Sequence, residues 1–486
     1  MLKKLFYCGV VLLLVFTLKN ALAQNSIQPS NQLSLEDFLQ QVKGENLAVI
    51  AANQNAEAFE KLKEKAKLVT SINFFASTQT AFTEQNQALQ IVRYTKTYTQ
   101  NSQAGITQTA DFGLNTKLYY SLNHITYKGL STNNFVNSSL ATSNYQSIPT
   151  IELSLPLLQN RFGAATKANK DSIYFANEAQ KLNAKSVSVL ALVGAQQSYW
   201  ALVAARKIVQ IQQNALQNSK QILDYVSKKE KMNLGDKADV LQAKALFESR
   251  KLTLQQAQND EKLAARDFNK QRYINSNEVT QKLSEIDFNQ LKKFLVPQIK
   301  GDNRFDIKAY EANMKAAVAS AKLEEENNKP ALSVYGSYLQ NQIQPSNEQA
   351  IYNSFQRNGS AGTFGVKLSM PINFDLTSQI RQGAVLNASS AKINYQQKVF
   401  EQENDWQNLV QNLTIYKENL ALSQSIENAQ KLKLENERKL LKQGRTTTYQ
   451  ILLFEQDYSN AQLATIQIAY KMLALMAQQK LYQSQF

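Results

Sequence analysis

Leu153-Ser154-Leu155-Pro156 and Leu368-Ser369-Met370-Pro371 are two copies of one short motif in this sequence of 486 residues. Each copy ends a stretch in which apolar and polar residues alternate, and each precedes a long stretch without proline. Proline cannot donate to a β-ladder, but it is tolerated in the first turn of a helix. The repeat therefore predicts two junctions, at Pro156 and Pro371, where a strand ends and a helix follows.

The stretches after these junctions lack helix breakers. Ala164–Leu234 and Ala384–Gln443, of 71 and 60 residues, contain no proline and one glycine, Gly194. Because proline costs about 3 kcal/mol inside a helix and glycine about 1, both stretches are predicted to be unbroken helices. At a rise of about 1.5 Å per residue they would be roughly 105 and 90 Å long, which is typical of coiled coils and helical tubes.

Each predicted rod ends at a glycine, Gly235 or Gly444. Glycine is the usual residue of a left-handed helix cap, and a second helical stretch of about 40 residues follows each one. The sequence thus predicts two helical hairpins with their tips at Gly235 and Gly444.

Four regions have the period-two alternation of a strand with one apolar and one polar face. Their apolar residues are Phe112, Leu114, Leu118, Tyr120 and Leu122; Ile151, Leu153, Leu155 and Leu157; Leu332, Val334 and Tyr338; and Val366, Leu368, Met370 and Ile372. Such strands fit either a soluble sandwich sheet or a transmembrane barrel. Known barrels need about eight strands and open edges are not tolerated in lipid, so a barrel made from four to six strands of this chain would require several copies.

Residues 1–23 are predicted to be a cleaved secretory signal. Lys3 and Lys4 provide the positive start, Cys8–Leu18 the apolar core and Ala21-Leu22-Ala23 the cleavage site. The apolar run is shorter than the roughly 20 residues of a membrane-spanning helix, which disfavours the alternative of a plain membrane anchor. Since Cys8 is the one cysteine, the mature chain would have no disulfide.

Residues that could carry catalysis or bind a metal are scarce. His124 is the one histidine, and no glycine-lysine-serine/threonine phosphate loop occurs. Glu324-Glu325-Glu326 would point in different directions on a helix and is predicted to be a solvated face. The net charge is +15, but basic and acidic residues are interleaved, whereas a nucleic-acid surface carries one sign. We therefore expect no enzyme, no cofactor, no metal site and no nucleic-acid partner.

The doubled order of these features resembles the TolC outer membrane efflux protein family over nearly the whole mature chain. The residues that carry the resemblance are the two strand-proline-helix junctions, the glycine tips with Asp239-Val240-Leu241-Gln242-Ala243, and a third segment. That segment runs from Arg304-Phe305-Asp306-Ile307 to Lys329-Pro330-Ala331-Leu332 and is similar to the family's helix that leads through a proline into the second strand pair. Pro330 would thus be a third junction.

The resemblance implies a mainly α protein with membrane β-structure. It implies a homotrimer in the outer membrane of a Gram-negative bacterium, in which four strands per copy form a shared 12-stranded barrel in lipid above a periplasmic tunnel of helical hairpins. Such a protein is a passive exit duct for efflux or type I secretion, and it docks a periplasmic adaptor and an inner-membrane transporter. By the same resemblance the adaptor-docking tips and gate comprise Gly235, Asp239, Val240, Leu241, Gly444, Arg445, Gln450 and Leu453.

Three features depart from the family pattern. Gln450 and Leu453 stand where some members have an acidic ring, and Leu441 and Thr446 stand where latch partners of the tip aspartate occur. About 60 additional residues between Phe82 and Ile148 are interpreted as extra strands or a long loop outside the cell. A gate without the acidic ring is therefore expected.

The predicted segments follow this order. They are a signal (1–23), an N-terminal periplasmic segment and helix (24–67), a first strand pair with an insertion (68–158), a first hairpin (159–296), a connector and helix (297–329), a second strand pair (330–374) and a second hairpin (375–486). A periplasmic coiled-coil adaptor or stalk is the alternative, although an adaptor needs a compact β-rich domain. A secreted enzyme is a third reading that only export supports.

Overall fold

The computed structural model describes residues 32–84, 92–129, 131–132, 142–301, 304–356 and 359–482, so the predicted signal lies outside the described residues. Two compact units are built from separated segments. The helical unit comprises the described parts of Met1–Ile50, Val189–Lys300 and Asn408–Phe486. The sheet unit comprises those of Ala51–Ser188 and Gly301–Gln407.

Helices and strands alternate along the chain much as the doubled motif predicts. The helices are α1 (Leu35–Glu45), α2 (Leu47–Leu62), α3 (Lys65–Leu68), α4 (Ala164–Lys231), α5 (Lys237–Lys270), α6 (Phe288–Lys293), α7 (Phe305–Asn327), α8 (Asn347–Asn353), α9 (Phe374–Lys442) and α10 (Thr448–Gln479). The strands are β1 (Gln32–Leu33), β2 (Asn73–Glu84), β3 (Val92–Arg93), β4 (Lys96–Thr109), β5 (Asn115–Lys128), β6 (Ser131–Thr132), β7 (Ser143–Pro156), β8 (Lys282–Leu283), β9 (Ala331–Gln340), β10 (Gln342–Gln344) and β11 (Ser360–Ser369).

The two long predicted helices are confirmed as α4, of 68 residues, and α9, of 69. Leu202 of α4 shares a buried cluster with Phe268 of α5, and Leu434 of α9 shares one with Ile451 of α10. The chain therefore reverses after each long helix, and the following helix packs against it. The start predicted for the second helix, Ala384, is wrong because α9 begins at Phe374. Asn373 accepts a hydrogen bond from the Leu376 N–H at 3.3 Å and caps this earlier start.

One antiparallel sheet dominates the sheet unit, with the strand order β11-β9-β7-β5-β4-β2. The sheet contains all four predicted strand regions, but β2 and β4 bring the number of long strands to six. The ladder between β4 and β5 is complete, from Lys96 opposite Lys128 to Thr109 opposite Asn115. Within the described residues the sheet does not close on itself, because β2 and β11 lie at its two edges.

The strand predicted to begin at Phe112 begins instead at Asn115. Residues 110–114 form a tight turn in which the Ala110 N–H donates to the Leu114 carbonyl at 2.8 Å. Gly113 has φ +93°, a conformation that glycine adopts without steric cost. The apolar residues of this turn, Phe112 and Leu114, extended the alternation of β5 in the sequence and caused the error.

Aromatic residues form the core of the helical unit. Phe38 of α1 stacks on Phe268 of α5 with ring centroids 4.2 Å apart, and Tyr199 of α4 lies 5.6 Å from Phe38. The Tyr199 hydroxyl donates to the Leu33 carbonyl at 2.8 Å and accepts from the Ser284 N–H at 2.9 Å, which ties β1 and the chain after β8 to α4. The helical stretch Arg161–Lys231 has an apolar window with a mean hydropathy of 1.3. Because 56% of that window is buried, packing accounts for it as well as a membrane span does.

Four charged side chains join α2 to α4 in the sheet unit. Lys63 contacts Glu178 and Glu60 at 2.8 Å each, and Lys181 contacts Glu178 at 2.7 Å and Glu60 at 3.0 Å. Hydrogen bonds from Lys63 and Lys181 lower the pKa of Glu60 to about 2. Burial acts to raise the pKa of Glu178, but the bonds from the same two lysines outweigh it and lower that pKa as well.

This cluster predicts a dependence of stability on pH. A carboxylate with a lowered pKa stabilises the folded chain above its ordinary pKa, 4.5, and loses this contribution as the pH falls towards about 2. We expect Glu178→Gln to lower the urea midpoint of unfolding at neutral pH, and we expect its difference from the unsubstituted chain to shrink as the pH falls below 4.5. Urea titrations across this pH range measure the difference, with Glu64→Gln on the exposed neighbouring turn as the control. A difference that stays constant with pH would contradict the assignment.

Candidate functional site

One face of the sheet is apolar and exposed. The ladders align Phe74, Ile106, Leu118, Ile151 and Tyr338 in a single row across five strands. All five side chains are exposed, from 37% for Ile151 to 73% for Phe74. On the edge strand β11, Phe364, Val366 and Leu368 lie on the same face and are exposed too. An exposed apolar surface of this extent indicates contact with lipid or protein.

The opposite face is polar. The adjacent row contains Asn73, Thr107, Lys117, Glu152 and Ser337 in register across the same five strands. These residues line a concave basin with a volume of about 520 Å³ near the ends of the strands. The sheet is therefore curved, with its polar side inward.

Side-chain amides form a ladder across the polar face. The Asn101 amide donates to the Asn123 carbonyl oxygen. Asn123 donates to Gln146 at 3.0 Å, and Gln146 donates to Asn341 at 2.9 Å. We call these four residues the amide ladder. It gives the inner face neutral polar groups whose donors and acceptors are partly satisfied by one another.

The three junction prolines lie where strands end or begin. Pro156 is the last residue of β7, Pro330 immediately precedes β9, and Pro371 follows the end of β11 by two residues. After Pro156 the chain turns through Asn160, whose φ is +58° and whose side-chain oxygen accepts from the Thr166 N–H at 2.9 Å. This hydrogen bond satisfies an N–H in the first turn of α4, so the helix starts directly after the turn.

The tips of the two hairpins have the same helix-ending motif. At the second tip, Gly444 has φ +71°, its N–H donates to Leu441 at 3.1 Å, and the next N–H donates to Leu440 at 3.0 Å. At the first tip, Asn233 has φ +54° and makes the equivalent bonds. The left-handed cap predicted at Gly235 is therefore wrong, because Asn233 takes that conformation through its short polar side chain.

This correction makes the two tips equal in length. Counted from the left-handed residue, the next helix is capped at the third position by Asp236 and by Thr447. The leucine at the eighth position is Leu241 in one tip and Leu452 in the other. Asp239 then corresponds to Gln450. The spacing of Asn233 and Asp236, which matches that of Gly444 and Thr447, was the signal that could have revealed this alignment.

A buried carboxylate connects both hairpins close to the tips. Glu455 of α10, only 6% exposed, accepts from Arg438 of α9 at 3.1 Å and from Asn218 of α4 at 3.2 Å. The pattern of the sequence did not single out Glu455 or Arg438. Beside them the Lys433 ammonium lies 3.6 Å from the centre of the Phe454 ring.

The structure leaves most of the predicted tip residues accessible. Asp239 and Val240 are half-buried, and the exposed ones are Gly235, Leu241, Gly444, Arg445, Gln450 and Leu453. Several large apolar side chains at the tips are also exposed: Met232, Leu234, Leu241, Tyr449 and Leu453. The side chain of Thr446, at a position of the family's latch, donates to Glu437 of α9.

Gly444 provides a test of the tip geometry. No atom lies within 4 Å of the position that a Cβ would take, so the cost of Gly444→Ala comes from its left-handed backbone alone, about 1 kcal/mol. We expect faster hydrogen exchange of the amides in 440–448. Gly383→Ala in α9 is the matched control, because that position is also open but is helical, so alanine should slow exchange there. Unchanged exchange in Gly444→Ala would contradict the assignment.

The described residues hold no side-chain cluster suited to a metal ion. No group of three or more His, Cys, Asp or Glu side chains is placed there to hold a metal ion. His124 stacks on Tyr145 with ring centroids 4.4 Å apart on the sheet.

Comparison with known proteins identifies the fold. No family model and no curated protein sequence matches the chain. Among solved structures, the outer membrane protein VceC from Vibrio cholerae matches with a TM-score of 0.63 and 12% identity, over 92% of this chain and 95% of that one. This is the fold of an outer-membrane channel protein.

Two further outer-membrane channels agree. The Campylobacter jejuni CmeC channel has a TM-score of 0.60 and 14% identity, over 94% of this chain and 87% of that one. The open state of the Neisseria gonorrhoeae MtrE channel has a TM-score of 0.62 and 14% identity, over 92% and 88%. The resemblance stated from the sequence is thus confirmed at the level of this channel fold.

Proposed function

We propose that this protein is a TolC-type exit duct in the outer membrane of a Gram-negative bacterium. The observation that carries the proposal is the curved sheet with an exposed apolar face and a polar concave face, joined through prolines to long helical hairpins. A transmembrane barrel needs apolar residues outside and tolerates polar ones inside. The role is passive conduction of cargo, without catalysis or a cofactor.

Several copies form the duct, because the edges of one open sheet would leave unpaired backbone groups in lipid. Three copies is the number that the resemblance implies. The shared barrel lies in the outer membrane, and the helical hairpins line a tunnel in the periplasm. Outer-membrane lipid contacts the row that contains Phe74, Leu118 and Ile151.

The hairpin tips supply the docking surface for a periplasmic adaptor, which in turn joins an inner-membrane transporter. Leu234 and Leu241 on the first tip, and Tyr449 and Leu453 on the second, expose apolar area that such a partner could bury. The gate comprises Gly235, Asp239, Val240, Leu241, Gly444, Arg445, Gln450 and Leu453. The buried Glu455, with its partners Arg438 and Asn218, stabilises the gate from inside.

Labelling in intact cells tests this topology. Thr95 lies in the β3–β4 turn and Phe112 in the β4–β5 turn at the other end of the same strands, and both are exposed. In a Cys8→Ser background, an impermeant maleimide should label Thr95→Cys in intact cells but Phe112→Cys only after lysis. A periplasmic adaptor or stalk would leave both cysteines unlabelled until lysis. That result, or recovery of the chain as a soluble monomer, would overturn the proposal.

A further inference from the structure

We infer that β2 of one copy pairs with β11 of the next, so that each copy contributes six strands to the shared barrel rather than four. The inference rests on the proposed function, because it concerns how copies of the chain complete the membrane sheet. Three copies would then form an 18-stranded barrel from the six strands of each sheet.

All six long strands of the sheet, including β2 and β4, are long enough to cross a membrane. β2 has 12 residues, and β4, β5 and β7 have 14 each, while β9 and β11 have 10. A membrane strand needs about 9–11 residues. All six strands therefore reach the length required, and none is a short loop element.

The turn between β4 and β5 lies at the level of the strand-to-helix junction. Asp111 of this turn forms an ion pair with Lys170 of α4 at 2.7 Å. A Cβ on Gly113 would lie 2.9 Å from the Asn160 carbonyl oxygen, and one on Gly163 would lie 1.8 Å from the Asp111 carbonyl oxygen. The hairpin formed by β4 and β5 thus runs the full height of the sheet, and its turn packs against the start of α4.

The faces of the sheet continue into the additional strands. Phe74 of β2 and Ile106 of β4 extend the exposed apolar row of Leu118 and Ile151 without a break in register. On the other side Asn73 and Thr107 extend the polar row. If β5 were the membrane edge, the full ladder between β4 and β5 would have to open, and the apolar residues of β2 would lose their place in lipid.

The directions of the edge strands suit pairing between copies. Six strands that alternate in direction place antiparallel partners at the two edges, because β2 and β11 run in opposite directions. Both edge strands lack a second sheet neighbour within the residues described. A second copy of this chain is therefore the occupant that continues both the ladder and the two-faced pattern. Because barrel diameter grows with strand number, the bore would exceed that of a 12-stranded barrel.

Cysteine cross-linking tests whether β2 or β5 is the strand that pairs with β11 of the next copy. Thr78 of β2 and Leu122 of β5 belong to one row of the apolar face, with Ser102 of β4 between them. In the Cys8→Ser background, Thr78→Cys is combined with Gly362→Cys, Phe364→Cys or Val366→Cys on β11, which covers the possible registers. Leu122→Cys is combined with the same three as the matched set. A short bismaleimide is added to membranes, and the chains are separated under denaturing conditions.

We expect at least one Thr78 combination to shift from the monomer position to dimer and trimer positions, and the Leu122 combinations to stay at the monomer position. The pair Thr78→Cys and Ser102→Cys, whose hydroxyls lie 2.9 Å apart, should cross-link within one chain and verifies the fold. Links between copies through Leu122 but not Thr78 would overturn the six-strand barrel and leave the proposed function intact. A soluble chain with no links between copies, but with the Thr78–Ser102 link, would overturn both.

Discussion

Replacing Phe268 with alanine is expected to lower the free energy of unfolding of the helical unit by about 3–5 kcal/mol. Phe268 is fully buried, stacks on Phe38 and lies 6.0 Å from the Tyr199 ring, while the Arg272 guanidinium covers it at 4.7 Å. Alanine would leave a cavity among three elements that are far apart in sequence.

Tryptophan fluorescence provides the measurement. Trp200 contacts the Tyr199 ring edge to face at 5.2 Å and therefore reports on this core. In a Trp406→Phe background it is the one tryptophan left, since the chain has two. Urea unfolding of Phe268→Ala should be compared with Leu263→Ala on the same helix, where the side chain is 47% exposed and the loss should stay below about 1 kcal/mol. Equal losses would show that the aromatic cluster does not hold the unit together.

Arg438→Met is expected to destabilise the tip region by about 2–3 kcal/mol. The substitution removes the cation that donates to the buried Glu455 carboxylate and leaves Asn218 as its hydrogen-bond partner, with the nearby buried Arg250 guanidinium giving partial compensation, and weakening the compensation of a buried charge is costly. The cost is below that of a fully buried pair because the Arg438 side chain is 43% exposed. Hydrogen exchange of amides in 434–458 measures the loss of protection, and single-channel recording in a lipid bilayer would show more frequent opening.

A double substitution separates charge from packing. Arg438→Met with Glu455→Leu removes both charges and should recover part of the lost protection, because the buried carboxylate is gone while the buried Arg250 guanidinium keeps its hydrogen bond to Gln456 at 2.8 Å. Lys433→Met, which removes the neighbouring cation over Phe454 but leaves the Glu455 pair, is the control. If the double variant were as unprotected as Arg438→Met, the buried charge would not be the cause.

The long helices were predictable because proline and glycine are excluded from them, and this signal does not depend on tertiary contacts. The exact ends of these helices were less predictable. Gly235 looked like the left-handed cap, but asparagine can adopt the same conformation, and Asn233 does so. The docking and gate assignments came from the resemblance, whereas Glu455, which connects α4, α9 and α10, is recognisable only once these helices are packed.

The alternation of apolar and polar residues did not reveal strands β2 and β4, and the reason is physical. In β2, Ser77, Thr78, Gln79 and Thr80 are polar on both faces, so the alternation that marks β5 and β7 disappears. Backbone pairing with β4 defines this strand, and that pairing joins residues between 12 and 34 positions apart in the chain, such as Glu84 with Lys96 and Asn73 with Thr107. Local alternation cannot reveal a strand whose large apolar residues on the exposed face, Phe74 and Phe82, are eight positions apart.

The amide ladder has a consequence for molecules that move along the inner face. Asn101, Asn123, Gln146 and Asn341 engage one another, so each has fewer free donors and acceptors to offer a passing solute. A wall of this kind stays wet but adheres weakly, and the four amides of the ladder carry no charge that would retain ions of one sign. Cargo that reaches it should slide past with little dwell time, and the choice of cargo would then be made elsewhere along the route.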